Sequence, residues 1–217
     1  MSSKLLTALL LSGLIGCEAA AWGSWHTPVT EVISRAEKVE WAAPIPTDFN
    51  LFQMQPSLYR SALPKTDDQV VLQQLGIKTV INFYQKTEDA WLQDPSVKQV
   101  HLPLHTQNID DEDVLTVMRT IQQGEKDGAV LLHCKHGQHR TGVMAAMHRI
   151  LIEGWSREQA MDEMVSAGFG GEERMDDALK YVRTADIGAL KEALNSGSCS
   201  TNPLALCNVR EWLSDNI

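Results

Sequence analysis

The chain has little positive charge, no internal repeat and no low-complexity tract. Its 19 lysines and arginines are outnumbered by 28 aspartates and glutamates, which gives a net charge of −9 at pH 7. This balance argues against a nucleic-acid partner and against electrostatic binding to anionic lipid. The 217 residues, 43% of them hydrophobic, have the length and composition of one domain of ordinary size around a single core.

The sequence also lacks an apolar run long enough to cross a bilayer, which needs about 20 residues. The apolar run over residues 5–15 follows Lys4 and has the length of a signal-peptide core. Leu14-Ile15-Gly16-Cys17 matches a bacterial lipobox, in which the cysteine becomes the lipidated first residue of the mature protein. We therefore predict an exported, periplasmic, membrane-anchored protein lipidated at Cys17. Cleavage after Ala19-Ala20-Ala21, giving a soluble periplasmic protein, is the alternative.

The predicted organisation has three parts. Residues 1–17 form the signal peptide with its lipobox, and residues 18–47 form a tether that Pro44 and Pro46 close. Residues 48–217 form the folded domain with a C-terminal tail.

The most informative motif is His133-Cys134-Lys135-His136-Gly137-Gln138-His139-Arg140-Thr141-Gly142. The apolar, β-branched residues 128–133 before it are typical of a buried strand, and residues 141–153 after it are rich in helix formers. A tight loop between a strand and a helix directs backbone N–H groups and the helix dipole at one point, where an anion binds. We predict that residues 135–141 bind phosphate, namely Lys135, His136, Gly137, Gln138, His139, Arg140 and Thr141.

The same loop predicts a nucleophile. Converging amides, the Arg140 guanidinium and the Thr141 hydroxyl would stabilise the Cys134 thiolate and lower the pKa of its thiol. The planar fork of Arg140 suits two oxygens of a phosphoryl group and the charge that develops on them. Gly137 fits a position that needs a positive φ or a close backbone approach.

Two other interpretations of the loop come from different functional classes. His133, Cys134, His136 and His139 could form a zinc or copper site, although they are almost contiguous and no second ligand pair lies at finger-like spacing. A phosphate-binding module that has lost catalysis is the other possibility, and it would lack the cysteine, the arginine or the acid.

Cys-x5-Arg-Thr-Gly preceded by His resembles the signature of cysteine-dependent protein tyrosine and dual-specificity phosphatases. The resemblance spans residues 50–194 and points to the small bacterial dual-specificity-like branch, related to atypical plant and fungal enzymes. The further segments that carry it are Tyr59-Arg60-Ser61-Ala62-Leu63-Pro64, residues 75–82, Gly154-Trp155-Ser156 and Gly168-Phe169-Gly170.

This resemblance implies a phosphocysteine intermediate on Cys134, phosphate binding by Arg140, an aspartate as general acid, and no metal or other cofactor. The expected substrates are phosphotyrosine or phosphoserine/threonine proteins, with inositol polyphosphates as the alternative. Atypical relatives that act on inositol polyphosphates commonly carry lysine at the position of Gln138, which weakens that alternative.

The general acid is predicted within residues 105–113, which offer four carboxylates. A proton donor must reach the leaving-group oxygen from a loop. Asp110 is the last residue before a helical pattern and is the first candidate, and Asp111 is the second. Either could instead serve only as a helix cap. Arg60 is predicted to be a structural arginine beneath the acid loop or a surface ion-pair partner.

Four cysteines occur in the chain. With Cys17 and Cys134 assigned, Cys199 and Cys207 remain, and they can pair as a disulfide in an oxidising compartment. Two separate thiols are the alternative.

Alternating strand and helix patterns predict an α/β fold with a mostly parallel central sheet flanked by helices and a helical C-terminal third. The loop of Cys134 then lies at the carboxyl end of a strand. Thr66/Gln69 and Ser156/Gln159 have capping-box spacing. Strands are predicted at residues 51–53, 58–60, 79–83, 97–104 and 129–133, and helices at residues 66–76, 111–123, 141–153 and 206–213.

Overall fold

The computed structural model describes residues 39–171 and 175–207. The predicted signal peptide, Cys17, residues 18–38 of the tether and most of the last predicted helix lie outside these residues. Within the described part of the chain, no helix has both the length and the apolar character needed to span a membrane.

A six-stranded mixed sheet forms the centre of the domain, in the order β1-β2-β3-β6-β4-β5. The β3–β6, β6–β4 and β4–β5 pairs are parallel, whereas β1–β2 and β2–β3 are antiparallel. The predicted α/β fold with a mostly parallel sheet is therefore confirmed. The strands are β1 (Ala43–Pro44), β2 (Phe52–Gln55), β3 (Leu58–Ser61), β4 (Ile77–Asn82), β5 (Lys98–His101) and β6 (Ala129–His133).

The helical C-terminal third is also present. The helices are α1 (Gln69–Gln74), α2 (Asp111–Gly124), α3 (His139–Leu151), α4 (Arg157–Ser166), α5 (Asp176–Thr184) and α6 (Ile187–Ser196), with 3₁₀ turns at Thr66–Asp68 and Thr106–Asn108. The Ser156/Gln159 capping box forms as predicted, with the Gln159 amide donating to Ser156 Oγ and the Ser156 amide to Gln159 Oε1. The capping box predicted at Thr66/Gln69 is wrong. The helical segment begins there with a 3₁₀ turn, and Asp68 accepts a hydrogen bond from the Lys65 amide instead.

Both faces of the sheet are covered, and β6 shows why. Val130 and Leu132 belong to the core formed with α2 to α6, while Ala129 and Leu131 belong to a second core that includes Leu72 of α1. Successive side chains of a strand point to opposite faces, so a central strand with two covered faces is apolar at every position. All five residues of β6 are buried, which fixes the start of the following loop.

One end of the described domain differs from the sequence expectation, and the other end agrees with it. Ala43–Pro44, from the segment predicted as tether, pairs with β2 as the edge strand of the sheet. Near the other end, Cys199 and Cys207 are joined by a disulfide bond. Cys134 is the free cysteine of the described residues.

Candidate active site

The predicted strand, loop and helix around Cys134 are confirmed. Strand β6 ends at His133, Cys134 follows directly, and α3 begins at His139. Cys134 is 2% exposed. The nucleophile candidate therefore lies at the bottom of a loop at the carboxyl end of a central parallel strand, where open α/β sheets bind ligands.

Three consecutive carbonyl groups of the loop accept hydrogen bonds on their outer side from residues 50–63, the segment that contains β3. These bonds are Leu63 N to Lys135 O (3.3 Å), Asn50 Nδ2 to His136 O (3.2 Å) and Arg60 Nη2 to Gly137 O (2.8 Å). Since C=O and N–H of one trans peptide point in opposite directions, the next amides face the other side of the loop. The His136 amide is accordingly placed to lower the pKa of the Cys134 thiol. The loop is thus built so that its amides face inward.

Gly137 meets both conditions predicted for it. Its φ is +73°. A Cβ added there would lie 2.6 Å from the carbonyl carbon and oxygen of Ser61, which closes the space for any side chain. The loop can pack against β3 in this way only because this residue is glycine.

The environment of Cys134 favours the thiolate. Burial alone would raise the pKa of the thiol, but the hydroxyl and amide of Thr141, the His136 amide and the charge of Arg140 outweigh it and lower the pKa. The Thr141 hydroxyl is buried and makes no hydrogen bond of good geometry within the described residues. We attribute its effect to its proximity to the sulfur rather than to an aligned hydrogen bond.

Arg140 lies in the first turn of α3, half-buried, and its orientation is fixed by the segment after β4. Its Nη1 donates to Phe83 O at 3.0 Å and to Gln85 Oε1 at 2.7 Å. The guanidinium carbon lies 5.7 Å from the centre of the Tyr84 ring. One edge of the guanidinium is thus anchored, which leaves the rest of the planar fork for an oxyanion.

A buried acid–base pair lies beneath the nucleophile. His133 Nε2 and Glu88 Oε1 are 2.8 Å apart, and both residues are at most 2% exposed. The indole Nε1 of Trp91 donates to the other oxygen of Glu88, and His133 Nδ1 lies 3.3 Å from Cys134 O. The ring of His133 therefore orients the start of the loop by hydrogen bonding.

The other predicted phosphate-binding residues form the rim. Lys135 and His136 are exposed, while Gln138 and His139 are half-buried. The pKa of His136 is lowered, most strongly by burial and further by its electrostatic interactions with Lys135, His139 and Arg140. The Gln138 amide packs against the backbone of Gly170 and Gly171, where an added Cβ would lie 2.6–2.8 Å from it.

The four candidate metal ligands do not form a cluster. Within residues 39–171 and 175–207, no three His, Cys, Asp or Glu side chains are grouped to hold a metal ion. His133 already bonds to Glu88, and the rim histidines lie on the other side of Cys134 in the chain.

The structure gives both acid candidates other partners. Asp110 is the N-cap of α2, accepting from the Asp113 amide at 3.0 Å. Asp111 accepts from the hydroxyls of Tyr181 and Thr201, which attaches α2 to α5 and to the C-terminal segment. A pocket lies beside the loop and is lined by His136 and His139 of the loop, among other residues. Neither Asp110 nor Asp111 lines this pocket, so their assignment as general acid stays a prediction.

That pocket has a volume of about 430 Å³. It is lined by His105, Thr106, Gln107, Asn108, His136, His139 and Asp177. Gln107 Nε2 donates to Asp177 Oδ2 at 2.9 Å, which joins the 3₁₀ turn before α2 to the first turn of α5. The segment predicted to carry the acid therefore does border the loop, but with Gln107 and Asn108 rather than with Asp110.

Sequence reasoning missed four residues of the site and misplaced one. Asn50, Glu88, Gln107 and Asp177 each act through a partner at least 45 positions away. Arg60 is buried at 1% exposure, so the predicted surface ion pair is wrong. Its guanidinium bonds to Gly137 in the loop that follows β6, the phosphate loop, so the loop that it is seen to support is that of Cys134 rather than that of the acid.

Comparison with known proteins matches this geometry to one family. The model described as "PTP-SAK: Swiss Army Knife protein, DSP-PTPase phosphatase domain" matches residues 54–196. Dual specificity protein phosphatase TpbA of Pseudomonas aeruginosa (strain UCBPP-PA14) is 43% identical over 206 residues, covering 95% of this chain and 93% of TpbA.

Solved structures agree with this match. A crystal structure of a P. aeruginosa TpbA variant in complex with pTyr has a TM-score of 0.71 at 43% identity, covering 74% of this chain and 99% of that one. The core catalytic domain of the PP-IP phosphatase SIW14 from S. cerevisiae has a TM-score of 0.58 at 19% identity, covering 72% and 97%. The second match shows likeness of fold alone.

Proposed function

Because this chain belongs to the DSP-PTPase phosphatase family, we propose that it hydrolyses phosphotyrosine and phosphoserine/threonine esters of proteins through a phosphocysteine intermediate. It is a phosphatase of the dual-specificity class. The observation that carries the mechanism is the buried Cys134, whose pKa is lowered by inward amides, by Thr141 and by Arg140 against the effect of burial. The pTyr complex of the relative TpbA supports phosphotyrosine as one substrate.

The first chemical step transfers the phosphoryl group to sulfur. The Cys134 thiolate attacks phosphorus in line, the S–P bond forms, and the bond from phosphorus to the leaving oxygen breaks. A carboxylic acid protonates that oxygen as it leaves. Arg140 and the inward amides bind the other three phosphoryl oxygens, where charge spreads in the transition state.

The second step regenerates the enzyme. A water molecule attacks phosphorus, gives its proton to the carboxylate formed in the first step, and displaces the thiolate as inorganic phosphate forms. A thiolate that is stabilised in the free enzyme is also a good leaving group. The same features of the loop therefore serve both steps.

The test is Cys134→Ser measured with an aryl phosphate in the presence of a chelator. We expect turnover to fall at least about 10⁴-fold, because serine is a far weaker nucleophile in this loop. Vanadate or phosphate binding should persist, since the amides and Arg140 remain. Cys199→Ser/Cys207→Ser is the matched control for loss of sulfur and should keep its activity. Near-normal turnover by Cys134→Ser would refute the phosphocysteine mechanism.

A second substrate class is favoured by the hydrogen-bond donors near the loop. Lys135 follows the nucleophile and is exposed, and the imidazole rings of His105, His136 and His139 line the pocket beside the loop, which suits a small substrate that carries several phosphates. A panel of phosphotyrosine peptide, phosphoserine peptide and inositol polyphosphate at matched concentration, without added metal, separates the classes. Preference for the inositol compound would replace protein by polyphosphate as the physiological substrate while leaving the mechanism intact.

We further propose export to the periplasm and anchoring to the membrane through a lipid on Cys17. The lipobox and the short apolar run support this, and the Cys199–Cys207 disulfide is consistent with an oxidising compartment. Cys17→Ser should move the protein from the membrane fraction to the soluble fraction and abolish labelling by fatty acid. A mature N-terminus that follows Ala21 in the unmutated protein would contradict lipidation and support soluble export.

A further inference from the structure

The contacts in the site do not identify the group that donates a proton in the first chemical step. The donor has to lie beside the phosphate loop, close to where the leaving oxygen departs. Asp110 is bonded to the first turn of its own helix, and Asp111 is bonded to Tyr181 and Thr201. Both carboxylates therefore serve contacts that stabilise α2.

A different carboxylate faces the mouth of the loop. Of the described residues that line the 430 Å³ pocket beside the loop, Asp177 is the one with a carboxyl group. It shares this pocket with His136 and His139, which are two and five residues after the nucleophile. Asp177 is exposed, so its carboxyl can exchange protons with solvent between turnovers.

The position of Asp177 is fixed by a contact from the segment in which the acid was expected. Gln107 Nε2 donates to Asp177 Oδ2 at 2.9 Å. The other carboxylate oxygen, Oδ1, has no hydrogen bond to a described residue in the same pocket, so it is the atom that can carry the transferred proton. A neutral amide is a suitable holder, because it orients the carboxyl group without taking its proton.

We propose that Asp177 is the general acid of the first step and the general base of the second. This proposal rests on the phosphatase function proposed above and names the residue that completes it. In the first step the Asp177 carboxyl gives its proton to the leaving oxygen while the S–P bond forms. In the second step the carboxylate takes a proton from the attacking water, the S–P bond breaks, and the carboxyl group is restored with the thiolate.

The test compares Asp177→Asn with the parent protein on two aryl phosphates. Loss of a general acid costs about 10²–10⁴-fold when the leaving group is poor. We expect kcat/KM, which reports the first step, to fall about 100-fold with phenyl phosphate, which leaves as a strongly basic phenolate. With a dinitrophenyl phosphate, whose leaving group needs no proton, kcat/KM should hardly change. The dependence of kcat/KM on leaving-group basicity should therefore steepen.

Matched variants separate catalysis from structure. Asp176→Asn removes the neighbouring carboxylate from the same helical turn and should behave like the parent. Asp110→Asn and Asp111→Asn should lower the thermal midpoint rather than change the leaving-group dependence. Gln107→Leu should show a weaker form of the Asp177→Asn phenotype, and Asp177→Glu should restore part of the rate with phenyl phosphate.

The outcomes distinguish this proposal from the one on which it rests. An active parent, an inactive Cys134→Ser variant and an Asp177→Asn variant with the parental leaving-group dependence would overturn the role of Asp177 alone. The same would follow if the steepened dependence appeared in Asp110→Asn or Asp111→Asn instead. A parent protein inactive on every phosphate ester, or an active Cys134→Ser variant, would overturn the phosphatase mechanism itself.

Discussion

Two arginines of this domain are equally buried, and among the described residues only one of them has a carboxylate partner. Arg60 and Arg149 are each 1% exposed. Arg149 forms ion pairs with Glu163 and Glu153 at 2.7 Å each, and Glu163 also accepts a bond from its Nε. Arg60 forms no ion pair within the described residues; its guanidinium donates to Gly137 O and lies 3.5 Å from the centre of the Phe169 ring.

The pKa values of the two guanidinium groups differ accordingly. Burial lowers the pKa of Arg60 to about 10, and the more distant charges of Glu163 and Cys134 oppose this only in part. Burial would also lower the pKa of Arg149, but the hydrogen bonds and charges of Glu163 and Glu153 outweigh it and raise the pKa. The charge of Arg149 is thus neutralised within its own cluster, whereas that of Arg60 acts on the phosphate loop and the thiolate.

This contrast separates a structural cation from a functional one. A buried charge without an opposite charge beside it costs stability, and strained or costly arrangements of this kind concentrate at functional sites. We infer that Arg149 holds α3 to α4 and that Arg60 contributes positive potential beneath the loop. Four experiments test the contrast.

The largest effect is expected from Arg149→Met. It leaves Glu163, at 1% exposure, buried without its guanidinium, and breaking such a pair costs about 4 kcal/mol of unfolding free energy. Urea denaturation measures the loss. The double variant Arg149→Met/Glu163→Gln should recover most of it, because no charge is then left unpaired. The kcat of the folded protein should stay within about twofold of the parent, and a large fall in kcat would break the contrast.

Gly137→Ala tests the contact through which Arg60 and β3 shape the loop. The added Cβ would lie 2.6 Å from the Ser61 carbonyl, so the loop must move away from β3 and lose its Arg60 bond. We expect kcat/KM to fall about 100-fold, as for loss of a preorganised oxyanion donor. Gly154→Ala is the control, because its φ is also positive but nothing lies within 4 Å of the added Cβ. Equal losses of activity in both variants would point to backbone strain alone.

Arg60→Met should lower kcat/KM by about tenfold while the unfolding free energy changes by only about 1 kcal/mol. The Gly137 carbonyl loses its donor, which is unfavourable, but an unpaired charge is also removed from the interior, which is favourable. Steady-state kinetics and urea denaturation of the same preparation measure the two quantities. A loss of stability as large as in Arg149→Met, with kcat unchanged, would make Arg60 a structural residue as well.

The parts of the site that could be predicted from the sequence lie within ten contiguous residues. A strand, a loop and a helix in direct succession determine where Cys134, Gly137 and Arg140 lie, because their relative positions depend on local geometry. The Ser156 capping box could be predicted for the same reason, since its two residues are three positions apart.

The remainder of the site could not be predicted from the sequence, because the residues that contact each other there are far apart in the chain. Glu88 reaches His133 across 45 positions, and Asn50 reaches the loop across 86. Asp177 is 70 positions from Gln107 and lies on α5, whose placement depends on how it packs against the rest of the domain. The sequence predicts the acid within the acidic run at the start of α2, but Asp110 is bonded within that helix and Asp111 to the C-terminal third. Spacing in a sequence does not indicate such competition between partners.

The smallest and most diagnostic effect concerns the pH dependence of the thiol. The folded-state pKa of Cys134 lies below the ordinary value, so its alkylation by iodoacetate should reach half of its maximal rate below about pH 8.5, the pKa of a free cysteine. Removing the positive charge of Arg60 disfavours the thiolate, so Arg60→Met should move this midpoint to higher pH. Arg149→Met/Glu163→Gln should leave it unchanged, because the substitutions remove one positive and one negative charge together and keep the net charge of that cluster constant. Identical midpoints in all three proteins would show that the unpaired arginine does not act on the sulfur.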